Sequence, residues 1–348
     1  MSEWNFNKKD LEKYIKQGEE ILKQNLTKLK REEVIYEIEL LEDFIQEHYN
    51  YEESESENIS FYRAKTNYLN NMKKIYKELG KETIKWLIAL DKEKIFPLIN
   101  SPHLKLDIEE QKEYTLKNYE KNSKNSLFVA KQILSPYPTN QIQVCKNLED
   151  SSFSRYISIA DLPLIVINPN EGAAILNHEL EHAIESTIGY RTNYFYSELG
   201  SIFYEILFNN LIYINKSILP KERLADFMVD IEVLSEYFEL MLEFAKYDFK
   251  VSAVDFKNIC IKTLDLIPNE IDDWLEEEFD FDYEGEVKYI FSHLKAIELV
   301  SMVNPKKDTL DLIEPFIITK KFNFEADTKK FKIYESYIEE VKQKTLKR

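Results

Sequence analysis

The sequence predicts a mainly α fold with one small β-sheet, and three observations carry that expectation. Six glycines in 348 residues leave few sites for tight turns, while Leu, Ile, Lys and Glu are abundant. Apolar residues recur at helical spacing through much of the chain. Alternation of polar with apolar residues, the pattern of a half-buried strand, is found between residues 141 and 167.

In order along the chain, Val34, Ile38, Leu41 and Ile45 make one apolar stripe at spacings of four, three and four. Residues 51–60 are rich in Glu and Ser and read as a solvated loop. Tyr62, Tyr68, Met72 and Tyr76 mark a second helix, and a third is expected over about 82–96, ahead of Pro97. The run Ser135-Pro136-Tyr137-Pro138-Thr139-Asn140 breaks the helical pattern and is the best internal boundary. It separates an N-terminal helical region, 1–134, from a region 135–348, the two packing as one two-lobed unit. Residues 141–144 and 156–159 alternate as strands do, and 164–167 form a short apolar run. A small sheet is therefore expected just ahead of a helix over 171–188, with Gly189 as its C-terminal cap. Another helix should start near 194–197 and continue to about 215, and 327–347 reads as a closing helix after Pro305 and Pro315.

Composition bounds the function. A formal charge of −17 disfavours nucleic acid and anionic membrane surfaces as partners. Cys145 and Cys260 are too few for a disulfide framework. The first ten residues lack the apolar core of a signal peptide, and no later run of about eighteen apolar residues could span a bilayer. A soluble, cytoplasmic protein is the expectation; oligomeric state has no signature here.

Chemistry concentrates in His178-Glu179-Leu180-Glu181-His182. Residues four apart share a helix face, so the two imidazoles can reach one metal ion. Glu179 follows close enough to hold a water on that metal. Zinc suits neutral imidazole, and a catalytic zinc keeps a position open for water, whose pKa it lowers. With five histidines in the chain, a chance match comes to roughly 0.01. Ala173, Leu176, Leu180, Ala183 and Thr187 form an apolar stripe on another face, so the histidines are not needed to fill the core. His48 and His103 are isolated and read as structural or surface residues.

Such a zinc commonly takes a third ligand from a downstream glutamate. Measured from the intervening loop, the histidines lie roughly 13 Å up the first helix. Glu198 lies roughly 7 Å and Glu205 roughly 18 Å up the second, so helical rise alone does not choose between them.

His178-Glu179-x-x-His182 followed by Glu198-x-x-Ser201-x-x-x-Glu205 resembles the thimet oligopeptidase and oligoendopeptidase F family of zinc metallopeptidases, part of the gluzincin group. The similarity covers roughly residues 140–300. It implies a helical metallopeptidase fold, with His178, His182 and Glu198 as zinc ligands and Glu179 as general base. Glu205 would stand behind the ligands and orient a histidine, or serve as the alternative ligand. The family's downstream segment, which binds substrate and stabilises the oxyanion, corresponds to residues 282–293, giving Tyr283, Tyr289 and His293 as candidate donors. Glu181 stands where the family usually has glycine, Glu185 replaces a frequent histidine, and the interval from His182 to Glu198 is short. The expected activity is zinc-dependent hydrolysis of short peptides. Its rivals are a processing protease dedicated to one peptide and a non-catalytic helical interaction protein with a vestigial metal site.

Overall fold

The computed structural model describes residues 61–90, 104–135, 141–145, 152–157, 162–168, 170–188, 196–217, 222–303 and 328–346, with a few positions between 13 and 21. Helices α1 (Phe61–Leu79), α2 (Lys81–Ala89), α3 (Ile108–Asn122) and α4 (Lys124–Leu134) come first. Strands β1 (Ile142–Val144), β2 (Phe153–Ile157) and β3 (Leu162–Ile167) follow, then α5 (Ile175–Ile188) and α6 (Leu199–Lys216). Helices α7 (Glu222–Val233), α8 (Ser235–Ala245), α9 (Ala253–Leu264), α10 (Ile271–Asp280), α11 (Tyr283–Met302) and α12 (Thr328–Leu346) come after them. This is the mainly α architecture with a small sheet that the glycine-poor composition predicts. The stripe at 34–45, the loop at 51–60, His48, His103 and the cap at Gly189 lie outside the described residues. No described helix is long and apolar enough to cross a membrane.

The chain forms two compact units, residues 1–57 with 105–190, and 58–104 with 191–348. In the first, Asp107 caps α3 by accepting from the Glu110 amide at 2.9 Å. Ser123 ends α3 and caps α4 through the Ser126 amide, so one residue punctuates both helices. The sheet has the order β1-β3-β2, with β1 parallel to β3 and β2 antiparallel to it. Ile142 lies opposite Ile165, and Arg155 opposite Leu164. Central β3 buries Leu164, Ile165, Val166 and Ile167 in succession, which explains a continuous apolar run where an edge strand would alternate. Helix α5 packs against β2, β3, α3 and α4.

Helix α5 begins at Ile175, four residues later than position 171. The cause is local. Glu171 accepts from the Ser152 amide at 3.0 Å and from its hydroxyl, while Ser152 Oγ accepts from the Asn168 amide at 2.7 Å. These bonds fasten Asn168 and Glu171 to the start of β2.

In the second unit α1 buries Tyr68, Leu69, Met72, Ile75 and Leu79 along one face. Gly80, at φ 76°, turns the chain from α1 into α2 with a backbone that a side chain would strain. Helix α11 packs against α1, α6, α7 and α12. Helix α6 buries Leu199 through Asn209 without a break, as a helix enclosed by neighbours does.

Candidate metal centre

Helix α5 carries His178 and His182 one turn apart, ring centroids 5.0 Å and planes at 77°. His178 and Glu179 are buried and His182 is half-buried. Leu176, Leu180 and Ala183 are fully buried, as the apolar stripe requires. The rest of that stripe needs correction: Thr187 is exposed, and Ala173 precedes the helix. The polar face is buried as well, at Asn177, Glu181 and Glu185.

Helix α3 explains how polar residues of α5 tolerate burial. Gln111, Thr115, Asn118 and Asn122, at spacings of four, three and four, give it a buried polar row. Gln111 accepts from the Leu176 amide at 3.3 Å and donates to the Leu106 carbonyl at 3.1 Å. Asn122 donates to Asn118 at 2.7 Å, and Asn118 donates to Asn177 at 3.0 Å. Tyr119 donates its hydroxyl to Glu181 at 2.5 Å. A buried polar group costs stability unless it is hydrogen-bonded, and these bonds meet much of that need. Glu181, at a position where the resemblance expects glycine, serves as acceptor for a buried tyrosine.

Glu198 ends the turn before α6 and is buried, with φ −91° and ψ 0°. The helix starts at Leu199, slightly later than the expected 194–197. Ser201 donates to the Glu198 carbonyl at 2.9 Å, and Lys288 on α11 pairs with the Glu198 carboxylate at 3.3 Å. Glu205, also buried, lies two turns further along α6.

Among the described residues, His178, His182 and Glu198 make a group able to hold a metal ion, their ligand atoms all within 4.8 Å of one another. Atoms sharing one zinc at about 2 Å each stand roughly 3.3 Å apart when tetrahedral. The 4.8 Å limit exceeds that spacing by about 1.5 Å. Two imidazoles and one carboxylate are also the donor chemistry of a catalytic zinc with an open position. The residues fit the ion.

The candidate donors all lie on α11, which Asp282 caps through the Gly285 amide at 3.0 Å. Tyr283 stacks on Tyr237, centroids 3.7 Å apart, and donates its hydroxyl to Glu278, which also accepts from Tyr68 at 3.1 Å. Burial, then Glu278, push the Tyr283 phenol well above its usual range. The proton thus stays on the phenol and points at Glu278. Tyr289 is half-buried, with the Lys288 ammonium 5.0 Å from its ring centre. His293 is buried against Phe227, with Nδ1 3.0 Å from the Tyr289 carbonyl. A carbonyl only accepts, so a neutral His293 carries its hydrogen on Nδ1, and donation from Nε2 needs the imidazolium.

Glu278 offers a test. Burial raises its pKa most, and Glu236 and Glu277 add to that, against hydrogen bonds from Tyr283 and Tyr68. A carboxyl whose folded pKa is raised contributes stability below its unfolded value and loses it as pH rises through the folded one. Glu278→Gln is therefore expected to gain in Tm relative to the parent as pH climbs from about 4 to 7. A Tm difference between the two that stays flat across this range contradicts the assignment.

No family model matches the chain, and no curated protein matches it. Two solved structures are similar to it. One, from Chlamydophila abortus, is described as a peptidase: TM-score 0.46, 14% identity, covering 83% of this chain and 56% of that one. The other, from Bacillus anthracis str. Ames, is described as an oligoendopeptidase F: TM-score 0.43, 11% identity, covering 90% of this chain and 62% of that one. The chain therefore spans less than two thirds of the length of either.

Proposed function

We propose that this chain hydrolyses peptide bonds in short peptides using a bound zinc ion. The observation that carries the reading is the His178, His182 and Glu198 donor group with Glu179 beside it on α5. The three ligands would leave the ion a position for exchangeable solvent. When bound, zinc supplies Lewis acidity that polarises a carbonyl and makes water more acidic. The residues of the chain do the rest. His178 and His182 would hold the ion through ring nitrogens, and Glu198 would add one carboxylate oxygen. Glu179 takes a proton from the attacking water and returns it to the leaving amine. Glu205 orients a ligand from behind. Tyr289, Tyr283 and His293 are the donors assigned to the developing oxyanion. For Tyr283 that role requires its hydroxyl to turn from Glu278.

The test uses the intact chain, a library of short peptides and mass spectrometry. Cleavage is expected with zinc, to be lost on chelation and restored by added zinc. Zinc bound at one equivalent without cleavage of any peptide removes the peptidase reading and favours an interaction protein. A single cleaved sequence points to a dedicated processing protease.

A further inference from the structure

We infer that Lys288 is a positioning residue for the Glu198 ligand, its ammonium holding one carboxylate oxygen while the other is presented to the metal. This rests on the zinc reading above. The Lys288 Nζ lies 3.3 Å from Glu198 Oε1, with the side chains 23% and 7% exposed. An ion pair this shielded outweighs the fully exposed kind, because water screens it less. A carboxylate has two oxygens and about four lone-pair sites, so pairing at Oε1 is compatible with ligation through Oε2. The lysine is itself held in place: it projects from the first turns of α11, which packs on α6, and its ammonium lies 5.0 Å from the Tyr289 ring centre. Ser201 donates to the Glu198 carbonyl at 2.9 Å, and its hydroxyl also stands 3.5 Å from Oε2, the oxygen left to the metal.

Two effects of opposite sign meet at this lysine. Its charge repels a dication, so removing it would tighten binding. Its bond restricts Glu198 to one orientation, so removing it would loosen binding. Contacts to ligands from behind are typically worth ten- to a hundredfold in metal affinity, about 1.4–2.7 kcal/mol. The distance and shielding make orientation the larger effect.

The experiment is competition for zinc against a chromophoric chelator, with kcat and KM measured in parallel. Lys288→Met is expected to bind zinc about ten- to a hundredfold more weakly and Lys288→Arg within a few-fold of the parent. The control is Lys74→Met, which removes the pair between Lys74 on α1 and Glu284 on α11, 2.8 Å long and more exposed. It should leave zinc affinity unchanged. Equal or tighter binding by Lys288→Met, with unfolding curves showing it folded, overturns the inference while leaving the zinc reading standing. Should Lys288→Met fail to fold, Lys288→Gln against Lys288→Arg makes the same comparison. A parent chain that does not bind zinc takes down both readings.

Discussion

Glu179→Gln is expected to lower kcat/KM for peptide hydrolysis by about 10²–10⁴-fold while zinc remains bound, because the substitution removes the base and keeps the shape. Glu179 is one residue from His178 and equally buried, so a neutral amide of the same size fits its site without a cavity. The donor group of two imidazoles and Glu198 is untouched, and zinc affinity should stay within a few-fold of the parent. The pairing of measurements is what discriminates. Lost activity with retained zinc assigns proton transfer to Glu179. Retained activity removes Glu179 from the mechanism. Loss of both makes it part of the metal's support.

His178→Ala should have the larger effect on the metal. It removes one of the three proposed ligands and opens a buried space, so zinc affinity should fall by more than the ten- to hundredfold typical of contacts behind the ligands. Hydrolysis should vanish with it, and excess zinc should restore little. Elemental analysis of the purified variant beside the parent reads the result directly. Full zinc occupancy in the variant would mean that the imidazole is no ligand.

The fold was legible where a periodic signal met a conventional partner. The alternation at 141–144 and 156–159 and the apolar run at 164–167 correspond to β1, β2 and β3, within a few residues. Residues 327–347 correspond to α12. The parallel pairing of β1 with β3 had no counterpart in the local pattern, since it is decided by long-range packing. The same holds for the grouping of 58–104 with 191–348.

The candidate site was legible at the histidines, whose spacing maps onto one helix face, and only by resemblance at Glu198. Position along a helix depends on where the helix starts, and Glu198 precedes the first turn of α6. The buried surroundings of α5 were missed for a physical reason. Gln111, Asn118 and Asn122 look like solvated positions in sequence, and their spacing reveals a face only when a second polar helix packs on it. Lys288 is one of 46 basic residues, and nothing in the chain marks it out before its partner is known.

Three glutamates, Glu179, Glu181 and Glu185, are buried on α5, a helix whose fourteen residues include no lysine or arginine. Burying carboxylates costs stability unless they are paired or hydrogen-bonded, as Glu181 is with Tyr119, and a divalent cation held beside them would offset part of that cost. Occupancy and native stability would then be linked: an ion at a thousand times its dissociation constant would add about 4 kcal/mol to the native state. Scarcity of the ion would thus be felt as faster turnover of the polypeptide, well before it registered as slower chemistry.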